Sequence, residues 1–330
     1  MNGILAIQIK QIGDCILTQP VFKSLKENYP GLKTGFLVKD TIAPLFENDP
    51  DIDVLLGYSF KTPFRSLLDM RKERFDAVFD FLSNPRSKIA VLFSGSGKRV
   101  GYRETRPRFM YNLALPKLPE PRYIVEIKLR LLEDAGYRTS FHLPEVYLSQ
   151  EDRDFAREWA RDNLAGGETL ISVAPFSRRP ARKWHAEGFL EVMRRVEYNL
   201  SGNVKFVICL GPGEREYAHP FIQRFSGRAV ICPEAGLRKI AAVLEMTDAF
   251  IGCDNGLKHL AAAVGTPTLS IHLANQPVYW NPGGSEKHLY EWTGAGCRGC
   301  EKQICQDMIC SAKTDIDSVE EKLMRLLDES

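Results

Sequence analysis

The chain has 330 residues, 44% of them hydrophobic and 26% charged, with 44 Lys and Arg against 42 Asp and Glu. That length exceeds what one core usually supports, so two domains are expected, and the apolar content excludes a disordered chain. A net charge of +2 excludes a general basic face for nucleic acid and leaves any cationic patch local.

The opening MNGILAIQIK has too short an apolar run for a signal peptide, and no stretch approaches the roughly 20 apolar residues that cross a bilayer. A cytoplasmic location is therefore expected. Short β-rich runs then alternate with helical ones. GILAIQIK, KTGFLVKD, DVLLGYS and FDAVFDFL read as strands, while LTQPVFKSLKENYP, TIAPLFEND and SLLDMRKER carry helical spacing. This is the βαβ pattern of a parallel sheet. The Pro- and Arg-rich KRVGYRETRPRFMYNLALP follows, then a helix over YIVEIKLRLLEDAGY ending on Gly136, an extended PEVYLS, and a charged helix over SQEDRDFAREWARDNLAGGE with a Gly-Gly exit. The domain boundary is placed there, giving 1–160 and 161–330.

A second alternating series runs from TLISVAPFS through AEGFLEVMRRVEYNL, NVKFVICLGPG, REYAHPFIQRF, RAVICPE, LRKIAAVLEM, DAFIGCDNG and LKHLAAAVG to TPTLSIH. The fold class is α/β, two Rossmann-like doubly wound domains facing across a cleft, with ligands expected at the carboxyl ends of the strands. IDSVEEKLMRLLDES is an amphipathic terminal helix.

After the first strand, KQIGD places Asp14 at the start of a helix. Two readings stand: the carboxylate caps the helix, or it faces the cleft and accepts a proton from an incoming hydroxyl. In the second domain, the strand DAFIGC runs into Asp254, Asn255 and Gly256 and then a helix bearing Lys258 and His259. Such a helix start presents free N–H groups to an anion, although an ordinary βα turn has the same residues. Upstream, Arg178, Arg179, Arg182 and Lys183 put four cations within six positions after the strand TLISVAPF, which suits a diphosphate or a solvated basic loop. LGPGERE is a third strand-to-helix turn, without the spacing of a dinucleotide fingerprint or a P-loop lysine.

Taken in this order and spacing, ILAIQIKQIGDCILTQPVFKSLKENYP, KRVGYR, RKW and CDNGLKHLAAAVGTPTLSIH resemble the heptosyltransferases of glycosyltransferase family nine, ADP-heptose:lipopolysaccharide enzymes with a GT-B fold. The resemblance covers nearly the whole chain. It implies an inverting, metal-independent transfer of heptose from ADP-heptose to a lipopolysaccharide core acceptor, a Kdo or a heptose, by a cytoplasmic enzyme at the inner face of the membrane. It assigns the acceptor to the first domain and the nucleotide sugar to the second. Asp14 falls on the family's base and Lys183 on its diphosphate-binding lysine. The family's D-[ST]-G-x-x-H signature stands here as Asp254, Asn255, Gly256, Leu257, Lys258 and His259, with Asn255 in place of Thr or Ser. Ser177 is a further phosphate candidate, and Glu214 or Glu216 a candidate for the ribose hydroxyls. Arg65, Arg99 and Arg103, with Lys98, Arg106 and Arg108, suit an anionic glycan acceptor. The terminal helix often returns to the first domain in GT-B proteins. Competing expectations are a family-nine transferase using another nucleotide sugar for a different surface glycan, a GT-B-like nucleotide-sugar epimerase, and a noncatalytic glycan binder.

Cys297, Cys300, Cys305 and Cys310 are spaced C-x2-C-x4-C-x4-C. Four clustered thiols suggest a structural zinc or iron site; reduced thiols under a loop, or one disulfide, are the other reading. Catalysis itself calls for no cofactor.

Overall fold

The computed structural model describes residues 3–328 except 119, 212 and 298, with the backbone alone at 108. Contacts divide the chain into two units, Met1–Tyr147 and Leu148–Ser330.

The first unit contains β1 (Gly3–Gln8), α1 (Ile12–Ile16), α2 (Gln19–Asn28), β2 (Lys33–Lys39), β3 (Val54–Tyr58), α3 (Pro63–Lys72), β4 (Ala77–Asp80), α4 (Pro85–Phe93), β5 (Lys98–Tyr102), β6 (Leu113–Leu115) and α5 (Ile124–Asp134). Its strands lie in the order β3-β2-β1-β4-β5-β6, every neighbouring pair parallel. β1 is apolar throughout because a central parallel strand is covered on both faces, and all six of its residues are buried. Its register sets Leu5 opposite Gly35 of β2 and Val78 of β4. Helices α3 and α4 close one face of the sheet through Leu67, Met70, Ala90 and Val91.

The second unit contains α6 (Gln150–Asn163), β7 (Thr169–Ala174), α7 (Ala186–Asn199), β8 (Val204–Ile208), α8 (His219–Arg224), β9 (Ala229–Ile231), α9 (Leu237–Glu245), β10 (Ala249–Cys253), α10 (Gly256–Ala263), β11 (Thr268–His272), β12 (His288–Trp292), α11 (Ile309–Ala312) and α12 (Ile316–Asp328). Its parallel strands lie in the order β12-β11-β10-β7-β8-β9. Counted from β7, this is the same winding as in the first unit. The strand order reverses between β1 and β4 in one sheet and between β7 and β10 in the other, and such points open crevices at the strand carboxyl ends.

One feature differs from the sequence expectation. Helix α6 belongs to the second unit, so the division falls at 147/148 rather than near 160. Ser149 and Asp152 close a capping box at its start, the Arg153 guanidinium takes both Glu245 carboxylate oxygens at 2.9 Å, and Lys239 covers the Phe155 ring. Helix α12 buries Val319, Leu323 and Leu326 in the core of the second unit, beside α7 and β10 to β12, where Arg195 pairs with Asp317 and Glu320. Within KRVGYRETRPRFMYNLALP, the structure has two strands, β5 and β6, and PEVYLS forms no strand.

Candidate functional site

In the second unit, three strand ends converge around the β7/β10 crevice. β7 delivers Phe176 and Ser177, then a single 3-10 turn over Pro180–Arg182 and Lys183. That loop is pinned by Trp184, which is fully buried, donates Nε1–H to the Ser311 carbonyl at 3.2 Å and packs on Phe189. The indole lies so close to Gly188 that a Cβ there would stand 2.3 Å from a ring atom. With Trp184 fixed, the half-buried Lys183 is held with its amine 4.5 Å from the Tyr217 ring centroid and 5.3 Å from that of Phe176. Among the described residues the amine pairs with no carboxylate. A recess of about 260 Å³ behind it is lined by Pro180, Trp184, His185, Cys305, Met308 and Ser311 as well as Lys183.

β10 delivers Asp254 and Asn255 to the start of α10. Asn255 is the N-cap: its Oδ1 accepts from Leu257 N at 2.9 Å and Lys258 N at 3.2 Å, and its Nδ2 donates to the Phe176 carbonyl at 2.9 Å. The cap thus occupies two of the amides the sequence reserves for an anion, and its own amide group ties the β10 loop to the β7 loop. Asp254 is buried. Its Oδ2 accepts from Asn275 Nδ2 at 2.6 Å and Arg182 at 3.5 Å, while Lys258 and His259 lie 3.7 Å from Oδ1. Arg182 also pairs with Glu301 at 2.9 Å. Behind them, His272 is enclosed by Ser270, Asn275 and Asn281, and burial holds its pKa well below the usual imidazole value. Burial likewise pulls Lys258 down to about 8 against the opposing pull of Asp254. Arg182 Nε, Asp254 Oδ1 and Asn275 Oδ1 are buried without hydrogen-bond partners, which marks an unfinished polar site. Glu214 folds back on its own turn and accepts from Gly211 N at 2.7 Å; Glu216 is exposed on the 3-10 turn after it.

In the first unit, Asp14 does not cap α1. Gln11 is the N-cap, at φ 65°, and Asp14 is the third residue of the single turn. The backbone at Asp14 is locked from beneath. Lys128 of α5, itself buried, donates to the Asp14 carbonyl at 2.7 Å and to Thr18 Oγ1 at 2.6 Å, and Thr18 Oγ1 donates to the same carbonyl. Burial draws the Lys128 amine down to about 8, while Asp14 and Cys15 pull it up. At the neighbouring end of β4, the buried Asp80 accepts from Leu82 N, Ser83 N, Ser87 Oγ and Tyr111 OH, and burial raises its pKa against those four bonds. The sequence reading missed both groups. The signal for Lys128 was a lysine on the apolar face of its helix, three residues after Val125 and four before Leu132.

The acceptor candidates separate. Arg65 lies exposed in the first turn of α3, and Arg103 follows the carboxyl end of β5. Arg99 lies near the amino end of β5, where its guanidinium is engaged by the Met110 and Ser96 carbonyls. Lys98 is bound to the Ala135 carbonyl over the Tyr137 ring, and the side chain of Arg108 lies outside the described residues. The structure gives the four-cysteine metal site no support. Among the described residues no three His, Cys, Asp or Glu side chains are placed to hold a metal ion, and all four thiols are free. Cys297 and Cys300 are exposed, whereas α11 turns Cys310 into the core with Leu323, and burial raises the pKa of its thiol.

Residues 65–310 match the family model described as glycosyltransferase family 9 (heptosyltransferase). The chain belongs to glycosyltransferase family 9. Among curated family 9 relatives, it is 22% identical to the lipopolysaccharide core heptosyltransferase of Haemophilus influenzae over 85% of this chain and 82% of that one. It is 25% identical to lipopolysaccharide heptosyltransferase 3 of Escherichia coli over 86% of this chain and 85% of the other. Among solved structures, a family 9 glycosyl transferase from Veillonella parvula superposes with a TM-score of 0.85 at 19% identity, covering 100% of this chain and 98% of that one. The ADP-heptose heptosyltransferase II of Escherichia coli superposes at 0.81 and 18%, covering 100% and 99%. The fold of this family 9 chain is thus GT-B, with two Rossmann-like units. Asp254 to His259, the stretch that resembles the family signature, lies on the β10–α10 turn, and Lys183 lies on the pinned loop after β7.

Proposed function

We propose that the chain is an inverting heptosyltransferase that moves heptose from ADP-heptose to a Kdo or heptose hydroxyl of the lipopolysaccharide core. In this reading it works in the cytoplasm at the inner face of the membrane. The observation that carries the reading is the Lys183 amine, held on the loop pinned by Trp184 and, among the described residues, without a carboxylate partner, in a unit whose signature-like stretch follows the next strand end. Relatives carrying heptosyltransferase names over more than four fifths of both chains support the donor and acceptor classes.

In the proposed reaction the acceptor oxygen attacks the anomeric carbon, and the bond from that carbon to the diphosphate oxygen breaks. Asp14 takes the hydroxyl proton. Lys183, Ser177 and the start of α10 take the charge that develops on ADP, while His259 and Asp254 shape the floor of the phosphate site. Glu214 or Glu216 takes the ribose hydroxyls. The first unit receives the acceptor near Arg65 and Arg103, and the scheme uses no cofactor.

The test is to incubate the purified chain with ADP-heptose and core acceptors lacking heptose or bearing one. The expected result is acceptor-dependent ADP release, a mass gain of one heptose and an inverted anomeric configuration by NMR. Turnover with a UDP- or GDP-sugar alone overturns the donor assignment, and a new nucleotide-sugar isomer formed without acceptor overturns the transferase.

A further inference from the structure

Outside the candidate site, the first unit exposes large apolar side chains on two adjacent helices. On α3, Phe64 is 61% exposed and Leu68, one turn on, 41%; on α4, Ile89 is 45% and Leu92 41%. Phe60 precedes α3, and Phe109, 72% exposed, stands on the 3-10 turn that packs against α4. These residues form one surface. The Phe64 ring meets Phe93 edge-on at 6.1 Å, and the Arg86 guanidinium covers Phe60 at 5.0 Å. Soluble monomers rarely group exposed aromatic and aliphatic residues this way without a partner.

The surroundings are cationic. Residues 84–103 include five Lys or Arg and no Asp or Glu. Asp69 of α3 is paired with Lys72, and Glu73 at its C-cap with Lys33, both at 2.7 Å, while Lys61 and Arg65 stand exposed beside Phe64. A second copy would set this cationic surface against itself, and a free glycan has no use for the apolar side chains. An anionic bilayer matches both, because the phosphates meet the cations while the apolar side chains enter the acyl boundary. Among the described residues no helix is long and apolar enough to cross a membrane, so contact would be made by this surface.

We propose that the exposed face of α3 and α4, with Phe60 and Phe109 at its edge, docks the chain on an anionic phospholipid surface. Phe60 and Phe64 follow the carboxyl end of β3, and Arg86 follows that of β4, on the sheet edge where Asp14 follows β1. A lipid-borne acceptor lying in the docked membrane therefore presents its glycan on the side of the proposed base. That last step rests on the proposed function, whereas the docking itself does not.

The test is co-sedimentation of the full chain with vesicles of phosphatidylethanolamine and phosphatidylglycerol, against phosphatidylcholine alone. The chain is expected to pellet with the anionic vesicles only, less so as salt rises. The double variant Phe64→Ser/Leu68→Ser, and separately Phe109→Ser, are expected to lose about tenfold or more of vesicle affinity. Both should keep their Tm and their transfer to a water-soluble, delipidated core oligosaccharide. Failure of the wild type to pellet with anionic vesicles, or variants that pellet like it, overturns the proposal. So does a wild-type dimer in sedimentation velocity that these variants turn into a monomer, since the face would then belong to a second copy. If vesicle binding holds while no transfer occurs with any acceptor, it is the functional reading that fails.

Discussion

Replacing Lys128 by Met tests how the candidate base is held. The folded amine titrates near 8 against an ordinary 10.5, with burial the dominant cause. Between those values the unfolded chain binds more protons than the folded one, so stability rises with pH across that window and is lost as pH falls through 8. From pH 7 to pH 9, a single group with these two values adds roughly 1.3 kcal/mol. Lys258, also drawn to about 8, contributes a similar increment in wild type and variant alike. Urea unfolding at pH 7 and pH 9 should therefore show an alkaline gain smaller by about 1 kcal/mol in Lys128→Met. The Asp14 carbonyl and Thr18 Oγ1 also lose their charged donor. The turn that aims Asp14 loosens, and kcat should fall about tenfold with the donor KM unchanged. An alkaline gain equal to that of the wild type would refute the argument, because the amine would then not be a buried ammonium in the folded chain.

Three further outcomes test the proposed roles. Asp14→Asn should lower kcat by about 10² to 10⁴ while leaving Tm within a few degrees, because the side chain is half-buried and Gln11, not Asp14, is the N-cap of α1. Lys183→Met should lower kcat/KM for ADP-heptose about 10- to 100-fold, the worth of one charge-assisted hydrogen bond, with no loss of unfolding free energy. Asn255→Ala should cost about 2 kcal/mol in urea unfolding, since the α10 cap and the tie to the Phe176 carbonyl go together, whereas Asn255→Thr, which keeps a capping hydroxyl, should cost about 1.

The central strands were legible because burial on both faces leaves no polar positions to blur them. GILAIQ of β1, TLISVA of β7 and AFIGC of β10 all read as strands from sequence, and their carboxyl ends lead into the candidate site residues. Two of the four edge strands, β6 and β12, were not. β6 is only half-buried throughout, and β12 exposes Tyr290, so neither shows the apolar run that would separate it from loop. The position of Asp14 could be read from the strand that precedes it, but not its place inside the turn, which depends on Gln11 adopting a positive φ. The cysteine spacing was equally visible, but among the described residues the structure gives its metal reading no support. Cys310 lies in the core with Leu323, whereas Cys297 and Cys300 are exposed, and spacing in the chain does not carry that difference in burial.

The polar residues around Asp254 show why a site of this kind resists reading from sequence. Asp254, Lys258, Arg182 and His272 are all nearly inaccessible to water. Breaking one buried pair typically costs about 3 to 5 kcal/mol, yet replacing a whole buried group by apolar residues of the same volume is often neutral or stabilising. Stability alone therefore gives no reason for these residue types. What they do supply is a fixed arrangement: Asn275 and Arg182 hold Asp254 Oδ2, Asn255 joins the β7 and β10 loops, and Arg182 Nε and Asp254 Oδ1 remain buried without a hydrogen-bond partner. Under the proposed reading, desolvated groups set before the donor arrives need no rearrangement as charge moves onto the leaving diphosphate, which is where preorganised electrostatics contribute most. Each member is a single common residue in a βα turn, and only the contacts among three strand ends turn them into one site.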